Sequence, residues 1–222
     1  MTGLKSLFAA ASLLLAMSAN AADLKGIGMF ETLDKPWFAT ALYVQDNYGE
    51  QQTEQDASQG SDSASAIPER LEFKVVEDKI SQRRFRQLWL DVLAVVQDQR
   101  LLQSGDMDEF LGAVKGSLKQ NDHLVLKQED DYVSLTINYH EHARLSRDFL
   151  ASLVDVLIAR IAPIPELKHG LMGTLPRDEL RGIQRAFDKG EPSLHRISQT
   201  SRWLRIKDVE VSQRLASSEP SV

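Results

Sequence analysis

The chain has no cysteine. That excludes disulfides, thiolate zinc sites, iron–sulfur clusters and a cysteine nucleophile. It also has no surplus of positive charge: 26 Lys and Arg face 32 Asp and Glu, for a net charge of -6. Such a chain has no global electrostatic pull toward nucleic acid or anionic lipid, and nucleic acid is not an expected partner. It contains no P-loop, no Gly-x-Gly-x-x-Gly and no Gly-x-Ser-x-Gly, so nucleotide binding and serine-hydrolase chemistry have no support. Long apolar runs are lacking beyond residue 21. The longest, Phe149 to Ile161, is interrupted by Asp155 and Arg160 and is too short to span a bilayer.

What remains is ordinary globular material: 222 residues, 42% hydrophobic, 26% charged and 7% aromatic. This length suits one domain with appendages. Residues 1–21 read as an address rather than as structure. Lys5 gives a positive start, Leu7 to Met17 an apolar core, and Ala19-Asn20-Ala21 a small-x-small cleavage site. This is the pattern of a secretory signal peptide cleaved after Ala21. The expectation is an exported, periplasmic protein with no integral membrane segment once the signal is removed.

A second appendage lies at 45–66. It holds Asp46, Glu50, Glu54, Asp56 and Asp62, no base, and no large apolar residue except Tyr48. Such a stretch buries too little surface to offset its ordering entropy, and it reads as a disordered acidic insertion loop. The domain itself is expected over 22–190, with 191–222 a polar, partly disordered C-terminal extension.

Between these appendages the apolar pattern alternates in period. Trp37 to Val44 is aromatic and β-branched and apolar on both faces, as a central strand is. Leu71, Phe73 and Val75 alternate with Glu72 and Lys74, as in a half-buried strand. After the N-cap candidate Ser81, Phe85, Leu88, Trp89, Val92, Leu93 and Val96 mark one face of a helix over 82–103. Asp106 is read as the cap of a second helix carrying Met107, Phe110, Leu111, Val114 and Leu118. Residues 123–127, 132–137 and 141–145 read as successive strands. A third helix with Phe149, Leu150, Leu153, Val154 and Leu157 is expected to begin at Ser146 and to end before Pro163. A short helix over 166–173, an amphipathic one over 177–188 and a strand over Leu204 to Val211 complete the reading. The order of elements gives an α+β domain: a curved antiparallel sheet with helices packed on one face.

Four stretches together resemble the chalcone-isomerase-like family, in its bacterial exported branch. They are Trp37 to Val44, with its aromatic, small residues and Leu-Tyr pair; Pro68 to Phe73 leading to Ser81 and the Trp89 helix; Asp130 to Asn138; and Pro163-Ile164-Pro165 running to Leu171-Met172-Gly173. They span about residues 24–173. The resemblance implies an open-faced β-sandwich with a cleft between helices and sheet. Plant members of that family cyclise chalcones, and other members bind fatty acids without catalysis.

The resemblance also suggests site residues. The catalytic members carry a threonine on the early strand. Phe38 stands at the matching place, and Thr40, two residues on, shares its face. They use a tyrosine near the start of the following helix, where Phe85 has no hydroxyl to orient water or stabilise a phenolate. The fatty-acid binders use an arginine near this point for the carboxylate, and Arg83, beside Arg84 and Arg86, is the nearest match. Trp37, Tyr43, Trp89 and Phe110 are candidates for the cleft lining. The family's hairpin turn is usually Asn-Gly, whereas Asn138-Tyr139 suggests a longer or differently shaped turn. His140 and His142 stand at i and i+2, but a lone His-x-His pair in a turn is ordinarily surface, so no metal and no cofactor are expected. The reading is a non-catalytic binder of a fatty acid or similar small amphiphile, with Arg83, Thr40, Tyr43 and Trp89 at its site. The alternatives are an intramolecular lyase (isomerase) on a flavonoid-like substrate, or a periplasmic protein-interaction module.

Overall fold

The computed structural model describes residues 22–45, 67–96 and 99–217, with side chains to residue 205 except that of residue 99. The signal segment and nearly all of the acidic insertion lie outside the described residues.

Six strands form one antiparallel sheet: β1 (Asp23–Thr32), β2 (Lys35–Gln45), β3 (Ile67–Val75), β6 (His123–Gln128), β7 (Tyr132–Ile137) and β8 (His140–Ser146), in that spatial order. A small second sheet pairs β4 (Lys79–Ile80) with β5 (Leu118–Lys119). Among the described residues there are seven helices: α1 (Gln82–Val96), α2 (Gln99–Leu102), α3 (Gly105–Ala113), α4 (Phe149–Leu157), α5 (Pro165–Leu171), α6 (Arg177–Lys189) and α7 (Leu194–Ser217). This is the expected α+β architecture around a curved antiparallel sheet.

Alternation along each strand divides the side chains between two faces. On the inner face, Phe30, Phe38, Thr40 and Leu42 meet Leu71 and Phe73 of β3, and α1, α3, α4 and α5 cover them. α6 lies on the opposite face. Its Phe187, Leu180 and Ile183 cover Ile27, Ala39 and Ala41, so β2 is apolar on both sides because it is covered on both sides. Helices therefore flank the β1–β2 end of the sheet on two faces rather than one.

Several boundaries differ from the sequence expectations. β1 was not anticipated, and Leu118 belongs to β5 instead of extending α3. The cap of α3 is Ser104, whose hydroxyl accepts from the Met107 amide at 3.1 Å. Asp106 instead accepts from the Ser146 amide at 2.9 Å, and α4 starts at Phe149. Ser81 does cap α1, accepting from the Arg84 amide at 3.2 Å. Asn138 and Tyr139 form a two-residue turn with φ of 49° and 71°, so the hairpin is as short as an Asn-Gly turn would make it. The strand expected over Leu204 to Val211 is helical, part of α7.

α7 is fastened by a buried ion pair. Both carboxylate oxygens of Asp122 accept from the Arg196 guanidinium, at 2.7 to 2.9 Å. Asn138 donates to Asp122 at 2.9 Å and to the Thr200 hydroxyl at 3.2 Å. Trp203 then packs over Gly116, where a Cβ would come within 3.0 Å of the indole. The residues expected to form a loose extension are thus partly core.

Candidate functional site

The helix–sheet interface is built around aromatic rings. Trp89 of α1 meets Phe30 and Phe73 of the sheet edge-to-face, each at 5.5 Å between centroids, and Phe110 of α3 at 5.2 Å. Phe85 touches Phe38 at 6.3 Å, and Phe110 passes the contact on to Phe149 of α4 at 5.7 Å. Such geometry suits aromatic quadrupoles. At this level helix and sheet touch directly, and the cleft that the resemblance implied is occupied by side chains.

Two polar atoms lie unpaired within this apolar layer. Thr40 is fully buried, and its hydroxyl has no hydrogen-bond partner among the described residues. Trp89 is 1% exposed, and its indole N–H has none either. Both flank one residue: Phe73 is the cross-strand partner of Thr40 and an edge-to-face neighbour of Trp89. Buried polar groups are nearly always satisfied, because leaving one unmade costs about 1–3 kcal/mol.

Helix α5 closes the layer beside Thr40. Gly28 is the other cross-strand partner of Thr40, and a Cβ built there would come within 2.8 Å of the Leu167 carbonyl oxygen. Only glycine lets α5 descend this far onto β1.

The other two sequence candidates lie elsewhere. Arg83 is exposed on the first turn of α1. Glu77, five residues before α1 begins, pairs with Lys35 at 2.8 Å. Tyr43 projects from the opposite face of the sheet, beside the α6 cluster, with the Arg70 guanidinium stacked 4.0 Å from its ring. The structure therefore brings Thr40 and Trp89 into one layer and separates both from Arg83 and Tyr43.

The outer face holds a constellation that the sequence did not single out. Glu72 is buried between the His123 ring N–H at 2.8 Å and Arg70, whose Nε lies at 2.8 Å. Burial pushes the Glu72 carboxyl up. The hydrogen bond and charge of His123, with the charges of Arg70 and Lys74, outweigh that and hold it below its ordinary value. Burial, and then the Glu72 charge, raise the Tyr43 phenol. The strand register carries the missing signal: Lys74 pairs with His123, which places the imidazole beside Glu72.

His142 is buried against Trp203 at 6.2 Å, while His140 stands half-buried by the turn. Among the described residues no group of three or more His, Asp or Glu could hold a metal ion, and no helix is long and apolar enough to cross a membrane. A surface hollow of about 500 Å³ lies on the solvent side of α6, lined by Asp178, Arg181, Gln184, Arg185 and Asp188, away from the unpaired atoms.

No protein-family model matches the chain, and no curated protein matches it by sequence. Among solved structures it is similar to a fatty-acid binding protein of Arabidopsis thaliana, with a TM-score of 0.51 and 16% identity, over 76% of this chain and 92% of that one. At that identity the likeness is one of fold, and the fold it identifies is the chalcone-isomerase-like one.

Proposed function

We propose that this chalcone-isomerase-like fold binds a fatty acid or similar small amphiphile in the inner layer between helices and sheet, without catalysis, in an exported, periplasmic protein. The observation that carries the reading is the pair of buried, unpaired polar atoms, the Thr40 hydroxyl and the Trp89 N–H, in an otherwise apolar layer. Apolar walls supply affinity by burial, at roughly 25 cal/mol per Å². A few polar groups fix the ligand's orientation. Because the aromatic rings already touch, the acyl chain has to part α1 or α5 from the sheet as it enters. The fatty-acid binding neighbour supports the ligand class through fold alone.

A catalytic reading has one feature in its favour, the Thr40 hydroxyl on the inner face. Against it stands Phe85, which contributes a ring to the core where a phenol would be needed.

The deciding experiment extracts protein purified from cells for mass spectrometry and titrates single-chain lipids by calorimetry. A co-purifying or titratable single-chain lipid is expected. Protein that is always empty and binds none of them defeats the reading, and turnover of a chalcone above the uncatalysed rate would revive the isomerase.

A further inference from the structure

We infer that the ligand's polar end is uncharged: the site at Thr40 and Trp89 takes a neutral single-chain lipid carrying a hydroxyl or carbonyl oxygen, in preference to a carboxylate. This rests on the reading of the inner layer as a lipid site.

The two unpaired groups set the hydrogen-bond pattern. An indole N–H only donates, and a hydroxyl both donates and accepts. A ligand oxygen that meets the Trp89 N–H therefore has to accept, and one that meets the Thr40 hydroxyl can, which alcohols, aldehydes, esters and amides all do. A carboxylate accepts as well, but it brings a charge. Among the described residues the buried ionisable side chains are Glu72, Asp122, His142 and Arg196, of which His142 packs against Trp203 of α7. Glu72 belongs to the outer face, and Arg196 is committed to Asp122 by three contacts of 2.9 Å or less. The inner layer around Trp89 thus holds no buried cation among the described residues.

Arg83 does not supply one. Six residues of helix separate it from Trp89, about 9 Å of rise and about 120° around the axis. It is exposed, while Trp89 faces the sheet. A carboxylate buried beside Thr40 would be unpaired, and an unpaired buried acid takes up its proton and binds as the neutral form. The layer thus selects for neutrality by what it does not offer.

The test compares decanol with decanoate by displacement of a fluorescent fatty probe. At about pH 8, where the carboxylate is ionised, decanol is expected to bind at least about tenfold more tightly. Lowering the pH to about 5 should strengthen decanoate and leave decanol unchanged. Thr40→Val and Trp89→Phe should each weaken decanol several-fold, with Thr40→Ser restoring the first loss. Decanoate binding at the higher pH as tightly as decanol overturns the inference while leaving a lipid site in place. Loss of that tight binding in Arg83→Ala would move the head group to Arg83. If neither ligand binds, the inner-layer reading fails along with the inference.

Discussion

Gly170 of α5 and Gly28 of β1 meet backbone to backbone. A Cβ on Gly170 would collide with the Gly28 Cα and lie 2.6 Å from the Ile27 carbonyl oxygen. A methyl at 170 would have to push α5, wedged into the core by Leu167 and Leu171, off β1, which is paired with β2. Gly170→Ala is therefore expected to cost about 2–4 kcal/mol, more than an ordinary surface change. Urea denaturation measures this, and an unchanged midpoint would mean that α5 is free to lift.

Thr40→Val should have the opposite sign. The valine keeps the shape and removes a hydroxyl that has no partner. The ligand-free protein should gain about 1 kcal/mol while losing affinity for lipid. Melting the empty protein checks the first half. A destabilised variant would show that the hydroxyl is hydrogen-bonded in solution.

How much of this was legible beforehand can be argued residue by residue. Trp37 to Val44 announced a doubly covered strand because its apolar character does not alternate. β1 did not announce itself, since Gly26 and Gly28 weaken strand propensity, and their reason is an α5 that arrives over 130 residues later in the chain. The odd spacing of Thr40 and Tyr43 already put them on opposite faces, a consequence of period-two geometry. Leu204 to Val211 looked like a strand from its Ile206, Val209 and Val211. The helix there follows from the anchors Arg196 and Trp203, whose partners lie on remote segments. The Glu72–His123 pair needed the β3–β6 register, which no local pattern encodes.

Asp122 and Arg196 should be strongly coupled. Asp122→Ala leaves a buried guanidinium without its carboxylate, with an expected loss of about 3–5 kcal/mol. Adding Arg196→Met should recover part of that loss, a non-additivity that a double-mutant cycle reads directly. Simple additivity would mean that the pair is not formed in solution.

Acid should loosen the outer face. The Glu72 carboxyl is depressed in the folded protein, so the unfolded chain binds its proton more readily. The stability this contributes is whole above the ordinary glutamate value of 4.5 and is lost as pH falls through the lower folded value. Glu72→Gln should flatten that part of the stability–pH curve, as followed by urea midpoints. An identical acid slope in the variant would assign the effect elsewhere.

The proposed export makes a chemical prediction. The mature protein recovered from a periplasmic extract should begin at Ala22, as read by terminal sequencing or intact mass. A chain retaining Met1 would refute the signal reading.

Asp122 waits for Arg196, 74 positions downstream. Until α7 docks, this carboxylate has no counter-ion and stays in water. Docking of α7 therefore seals that end of the sheet, and a chain cut before Arg196 is expected to leave it open.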